Sequence, residues 1–394
     1  MGVAAVCQLA AAAGLVLVAI AWIGGALVYA RGSRRIPSLA KVEPLPDGAL
    51  PPLTIIAPSR NEEARVEGGA RSLLRQDYPN ARVLVVDDRS TDATGAVLDR
   101  LASEDPRLRV LHLSSLPDGW IGKHHALHRA ASEAGGDWIL FTDGDVELAP
   151  DAARRAVSLA LREKADHVAI APDLLVDSVT EALFVGFFVI AFNLSQRPWN
   201  AQDPRSRDSI GVGAFNLVRR SAYERAGGHA RIRYDMIDDI GLGRLLKRSG
   251  ARQLFAGHAG RVRAKWHTGA RGLIRGVEKN AFASLEYRVL PTIAGVAVQL
   301  ALALGPVLGW FVPGIVAKVA TVAAWVGVFA CYGLASREVP IRPWHAALMP
   351  LGGLLFAFAI VRSAVVVLAR NGVDWRGTHY PLEDLRRALR AGPK

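Results

Sequence analysis

The chain predicts an α/β architecture, a doubly wound and mainly parallel sheet carried between N- and C-terminal transmembrane helices, and three observations lead there. Short β-prone runs alternate with helical segments through the middle of the sequence. Long, nearly uncharged runs stand at both ends. Clusters of carboxylates follow the strands, which is where open α/β sheets place their ligands.

The anchor comes first. Val3 to Tyr29 carries no charge and is long enough to cross a hydrocarbon core of about 30 Å. It is too long for the apolar region of a cleavable signal and lacks a basic segment before it. Arg31, Arg34 and Arg35 follow. The positive-inside tendency keeps that cluster and the domain behind it in the cytoplasm, which makes the chain an integral protein of the cell (inner) membrane. The apolar content of 51% and the mean hydropathy of +0.20 agree with a membrane protein. The net charge of +12 is spread over scattered Lys and Arg without a nucleic-acid-binding pattern. Nucleic acid is therefore not an expected partner, whereas the lipid bilayer and a phosphorylated substrate are. Cys7 and Cys331 both lie in apolar segments, which excludes a disulfide framework and a sulfur metal site.

After a proline-rich stretch, strands are expected over Leu53–Ala57, Arg82–Val86, Leu108–Leu113, Trp138–Thr142 and His167–Ala171. Helical segments separate them, roughly over 62–75, 92–103, 123–134 and 151–162. The first strand ends in Pro58-Ser59-Arg60-Asn61-Glu62, the second in Asp87-Asp88-Arg89-Ser90-Thr91-Asp92, and the fourth in Asp143-Gly144-Asp145. Turns alone need only Gly, Ser or one Asn, so three such clusters at one rim predict a nucleotide site. Each cluster taken singly also reads as capping, by Asn61, Ser90, Asp92 or Asp151. Asp143 and Asp145 alternate about Gly144, so a bend there turns both toward one hard cation, and the missing Cβ gives room to a substrate.

Gly119-Trp-Ile-Gly122-Lys123 opens a helix, where free N–H groups and the helix dipole suit a phosphate. It is not a Walker A loop, since its glycine spacing is short and His124 stands where Ser or Thr is needed. His124 and His128 share a helix face but lack a third nearby metal ligand. Thr180 to Leu194 is apolar but short for a span, and reads as a core or interfacial helix. Gly211 and Gly213 precede a β-prone run and allow either a simple bend or close backbone approach to substrate. Asp238 and Asp239 start an apolar-periodic segment. One caps it, or their mutual repulsion raises one pKa and makes that carboxylate a general base. Hydrophobic stretches over 289–312, 314–335 and 344–369 close the chain. Three full spans after a cytoplasmic domain would leave the Arg-rich tail outside, against its charge.

These motifs, Pro58-Ser-Arg-Asn-Glu62, Asp87-Asp88, Thr142-Asp-Gly-Asp145, Gly213-Ala-Phe and Asp238-Asp239, resemble the membrane-bound family 2 glycosyltransferases of GT-A fold, over about Leu53 to Arg288. Gly119-Trp-Ile-Gly-Lys123, Lys279-Asn-Ala-Phe282 and Trp375-Arg-Gly are similar to the hopanoid-associated and carotenoid branch. The resemblance implies a cytoplasmic GT-A domain over 53–288, between an anchor over 1–30 with a linker over 31–52 and a transmembrane region over 289–369 with a basic tail over 370–394. It also implies that Pro58, Arg60, Asn61, Glu62, Asp87 and Asp88 hold the nucleoside of a nucleotide-sugar donor, expected to be a UDP-sugar. Lys123 would serve the phosphates, Asp145 the metal, and Asp143 the ribose or metal. Asp239 would be the base for an inverting transfer to a lipid acceptor, with Asp238 the alternative because it replaces the usual Glu of that pair. The Gln/Arg-x-x-Arg-Trp signature of processive synthases is absent, since Val262 and Lys265 precede Trp266, so transfer of one sugar is expected. A processive synthase, a nucleotidyltransferase and a non-catalytic scaffold are the alternatives.

Overall fold

The computed structural model describes residues 2–391. Met1, at the head of the expected anchor, and 392–394, at the end of the expected tail, lie outside the described residues. In chain order the elements are α1 (Val3–Ser33), β1 (Leu53–Ser59), α2 (Val66–Leu74), β2 (Ala81–Asp88), α3 (Thr94–Glu104) and β3 (Leu108–Leu113). Next come α4 (Gly122–Glu133), β4 (Trp138–Phe141), β5 (Glu147–Leu148), α5 (Ala152–Arg162), β6 (His167–Ile170), β7 (Asp173–Leu174) and α6 (Val179–Gln196). Then follow β8 (Asn216–Arg219), α7 (Arg220–Ala226), α8 (Asp238–Arg248), β9 (Gln253–Ala256), β10 (Val262–Ala264) and α9 (Gly269–Ala281). The chain closes with α10 (Val289–Leu308), α11 (Ile315–Ala335), α12 (Met349–Ala369), β11 (Gly372–Trp375), β12 (Thr378–Pro381) and α13 (Leu382–Ala391).

Two compact units result. One holds Ile36–Asp173, Pro198–Lys265 and Gly372–Lys394; the other holds Met1–Arg35, Leu174–Arg197 and Trp266–Asn371. α6 and α9 fall in the helical unit, and the segment from Gly372 falls in the α/β unit, where β11 and β12 form a two-stranded sheet of their own.

The α/β unit is built on a seven-stranded sheet of order β3-β2-β1-β4-β8-β6-β9. Every pairing is parallel except those of β8, which runs against β4 and β6. All five expected strands are in this sheet, and β8 and β9 complete it. Because strand residues alternate faces, the same strands feed two cores. Ile55, Val83, Val85 and Leu140 pack under α2, α3 and α5 with Leu73, Leu98 and Val157. Ile56, Leu84, Val86 and Phe141 pack under α4, α7 and α8 with Leu127, Tyr223 and Leu245. Covering on both faces is why these strands read as continuous apolar runs. Each such side chain gains roughly 2 kcal/mol by leaving water.

This topology sets the site. The carboxyl ends of the parallel strands share one edge with the amino end of the reversed β8. Asp87, Asp143 and the glycines ahead of Asn216 therefore arrive together.

The helical unit contributes α1, α6 and α9 to α12. Five segments are long and apolar enough to cross a membrane, Val3–Ser33, Val179–Asn200, Val289–Phe311, Ile315–Ala335 and Pro343–Ala369. The second of them includes the stretch 180–194 that looked short for a span. Leu17, Ile20, Leu290, Val319 and Val365 are among many large apolar side chains left exposed, as lipid-facing surfaces require. Inside the unit, several polar groups find partners. The Glu338 carboxylate accepts from the Tyr29 hydroxyl at 2.8 Å and from the Asn193 amide at 3.0 Å. Arg362, within the last of these segments, pairs with Glu278.

Candidate active site

The first group of predicted residues converges on Lys123. At the start of α4 its ammonium bonds Asp143 Oδ1 and Asp238 Oδ2, each at 2.6 Å, with 18% of its side chain exposed. Burial alone would depress its pKa, but the two carboxylates outweigh burial and raise it. Lys123 thus stays charged, and two of its three donors are committed.

Asp239 lies beside this triad and is held differently. Its Oδ2 accepts from the Gly213 N–H at 2.9 Å and its Oδ1 from the Ile240 N–H at 2.8 Å. Burial and then the neighbouring Asp238 charge push its pKa up to about 6, against the pull of Lys123 and the two N–H groups. Asp238 is pinned by an ion pair, whereas Asp239 is held by backbone N–H groups. Asp238 and Asp239 occupy the first turn of α8, but the N-cap is Ile237, with no side-chain capping bond, so the capping reading does not hold.

The glycines make this packing possible. A Cβ on Gly213 would lie 2.8 Å from Asp143 Oδ2, and one on Gly211 would meet the Asp239 carbonyl oxygen at 1.7 Å. Gly144 is also spatially constrained, but by protein. Its Cβ would fall 2.4 Å from Ser59 Oγ, so the room expected for a substrate is used to seat the Asp143–Asp145 bend against β1.

Asp145 stands apart from the Lys123 triad. Its nearest cation is Arg65 at 3.6 Å, and its pKa is raised by burial and by the charges of Asp143 and Glu62. Carboxylates that repel one another in this way suit a divalent cation. Among the described residues no three His, Cys, Asp or Glu side chains form a ready metal cage. Magnesium-type sites usually bind one or two carboxylates and complete their shell with water and substrate phosphates, so Asp145 and Asp143 fit that donor set.

The second group lies at the ends of β1 and β2. Asn61 has φ 52° and stitches the two loops together, donating its N–H to Ser90 Oγ at 3.0 Å and accepting from Thr91 N–H at 2.8 Å. Asp88 is gripped by both arms of Arg89, at 2.7 and 2.9 Å. Asp87 turns to His112 Nδ1 at 3.1 Å. Pro58 lies within β1 and Arg60 directly follows that strand. Glu62 takes the Arg376 guanidinium at 2.7 Å. Asp92 accepts from the Thr94 N–H at 3.0 Å, ahead of α3, whose N-cap is Ala93.

Other candidates resolve into structural roles. Buried His124 places Nε2 against the Asp235 carbonyl at 2.7 Å, while His128 stacks on Trp120, so the two histidines serve different neighbours rather than one metal. Asp151 sits at the N-cap of α5, yet its carboxylate goes to Arg155 and Arg261. Sequence reasoning missed Arg65, Arg89 and Arg376 as partners of the site. Only the last carried a signal, an Arg-Gly pair between two short β-prone runs.

Residues 54–227 match the model of glycosyl transferase family 2. Beta-monoglucosyldiacylglycerol synthase of Nostoc sp. is 31% identical over 185 residues, 46% of this chain and 38% of that protein. The 4,4'-diaponeurosporenoate glycosyltransferase of Staphylococcus aureus is 29% identical over 198 residues, 48% of this chain and 50% of its own. The chain spans half or less of the length of these two curated relatives. Among solved structures, a mannosyltransferase from Pyrobaculum calidifontis in complex with GDP-Man and Mn²⁺ aligns with a TM-score of 0.54 at 22% identity, over 89% of this chain and 99% of that one. At that identity the likeness concerns the fold alone, which is GT-A. The family match runs from β1 through α7 and ends before Asp238 and Asp239, whose placement rests on the geometry above. The stretch that builds the strand-end rim is also the stretch that matches, and residues 54–227 form a glycosyl transferase family 2 domain.

Proposed function

We propose that the protein transfers one sugar from a nucleotide-diphosphate sugar, a UDP-sugar by preference, to a hydroxyl or carboxyl of a membrane lipid, with inversion at the anomeric carbon. The observation that carries this reading is Asp239, a half-buried carboxylate with both oxygens oriented by backbone N–H groups and its pKa lifted to about 6, next to a lysine locked between two other carboxylates. The acceptor oxygen gives its proton to Asp239 as it bonds the anomeric carbon. The bond from that carbon to the leaving phosphate oxygen breaks, and the nucleoside diphosphate departs with the electron pair. The third donor of Lys123 remains for a phosphate oxygen. Mg²⁺ or Mn²⁺ at Asp145 and Asp143 would supply charge neutralisation for the departing diphosphate.

A lipid acceptor is supported by the two relatives, whose names specify a diacylglycerol and a carotenoid acid, and by the five apolar helices. A hopanoid or other isoprenoid fits the same surface chemistry. We place the α/β unit at the cytoplasmic face of the cell (inner) membrane, from Arg31, Arg34 and Arg35 behind α1. A single unit must lie on one side, and its segments flank α6 and also flank the run α10 to α12. In this reading α6 does not cross, and an even number of α10, α11 and α12 do. The test is to incubate purified protein in lipid with a panel of nucleotide sugars, following nucleoside diphosphate release and the mass of the lipid product. A lipid heavier by one hexose supports the reading, and a polymer or no lipid product opposes it.

A further inference from the structure

The described end of the chain is not a free tail. β11 and β12 pair with Trp375 opposite Thr378, leaving Arg376-Gly377 as a two-residue turn in which both φ are positive, 47° and 75°. Such a turn favours Asn-Gly or Gly-Gly, and an arginine at its first position is conformationally disfavoured. The side chain carried there reaches far along the sequence. Arg376 donates to the Arg60 carbonyl and to Glu62 Oε1 at 2.7 Å. Four residues on, the Tyr380 hydroxyl accepts from the Gly122 N–H at 3.2 Å, beside Lys123, and its ring meets Tyr234 edge-on. The hairpin therefore touches three separate loops of the proposed donor site. Burial first, and then the nearby charges of Arg89 and Arg376, hold the Arg60 guanidinium below its ordinary pKa. An anionic ligand would offset those charges.

We propose that this hairpin forms a wall of the donor pocket, and that Arg376 is a positioning residue that fixes Arg60 and Glu62 for the nucleoside diphosphate. This rests on the glycosyl-transfer reading above. Arg376→Asn separates the two explanations for the arginine, because Asn suits a positive φ and keeps the turn while removing the guanidinium. With full-length protein in lipid nanodiscs, Arg376→Asn should melt at or above the wild-type temperature. It should raise the donor KM about tenfold, the scale of one lost charge-assisted hydrogen bond, with kcat within about threefold. Binding of UDP or GDP alone, measured by calorimetry, should weaken in parallel. Arg376→Lys should recover part of the loss, and pairing Arg376→Asn with Glu62→Gln should give less than the product of the two effects. Wild-type donor KM and nucleotide affinity in Arg376→Asn would overturn the inference even if the enzyme transfers sugar. Absence of nucleoside diphosphate release by the wild type with every donor would count instead against the glycosyl-transfer reading.

Discussion

Replacing Asp239 by Asn probes the chemistry with little change of shape. In the wild type both carboxylate oxygens accept backbone N–H groups, at 2.9 and 2.8 Å. The amide can accept only one of them, and its NH₂ must face the other donor, a loss of about 1 kcal/mol. Against this, the substitution removes a charge that burial and Asp238 already disfavour. Stability should therefore change little. The rate should fall about 10²- to 10⁴-fold, the usual contribution of a general base.

The wild-type pH profile makes the same point independently. A base with a pKa of about 6 is mostly protonated at pH 5 and mostly ionised at pH 7, so kcat/KM should rise through pH 6 to a plateau. The stability term runs the other way. The folded pKa is raised above the unfolded value, so the ionised group destabilises the fold above pH 6, and that cost is relieved as pH falls from 6 toward 4. The assay is nucleoside diphosphate release from pH 5 to 8, with thermal melts at each pH. A flat rate profile, or more than a tenth of wild-type rate in Asp239→Asn, would refute the reasoning.

Other consequences follow from the same site. Gly213→Ala puts a methyl 2.8 Å from Asp143 Oδ2, and should displace that carboxylate from Lys123, costing about tenfold in kcat at nearly unchanged melting temperature. Chelation should abolish release, and Mn²⁺ or Mg²⁺ should restore it in the wild type but at least about 100-fold less in Asp145→Ala. Because the Asp145 pKa is raised, protons compete with the metal, so the metal concentration needed for half activity should climb as pH falls. Finally, Arg387→Cys, in a background with Cys7 and Cys331 replaced by Ser, should react with an impermeant maleimide in inverted vesicles and not in intact cells. Labelling from outside would contradict the even number of crossings.

The sheet was legible because its strands are buried on both faces and its helices are short, so periodicity and strand ends gave most of the unit. The reversed β8 was not legible, since direction in a sheet is set by pairing that one sequence run does not encode. Yet that reversal is what delivers Gly213 to Asp239. Asp143, Lys123, Asp238 and Asp239 were identifiable as polar groups at strand and helix ends, whereas their assembly around a single ammonium depends on contacts far apart in sequence. The tail shows the limit most clearly. Its positive charge argued for the inside and the span count for the outside, and long-range bonds such as those of Arg376 and Tyr380 join it to the α/β unit.

The most direct measurement is a donor screen on purified protein in native lipid, with divalent cation, coupling nucleoside diphosphate release to mass analysis of the lipid fraction. The account predicts release from one donor, one hexose added per acceptor, and loss of both signals in Asp239→Asn. Release without a glycosylated lipid, a polymeric product, or equal activity in Asp239→Asn would contradict it.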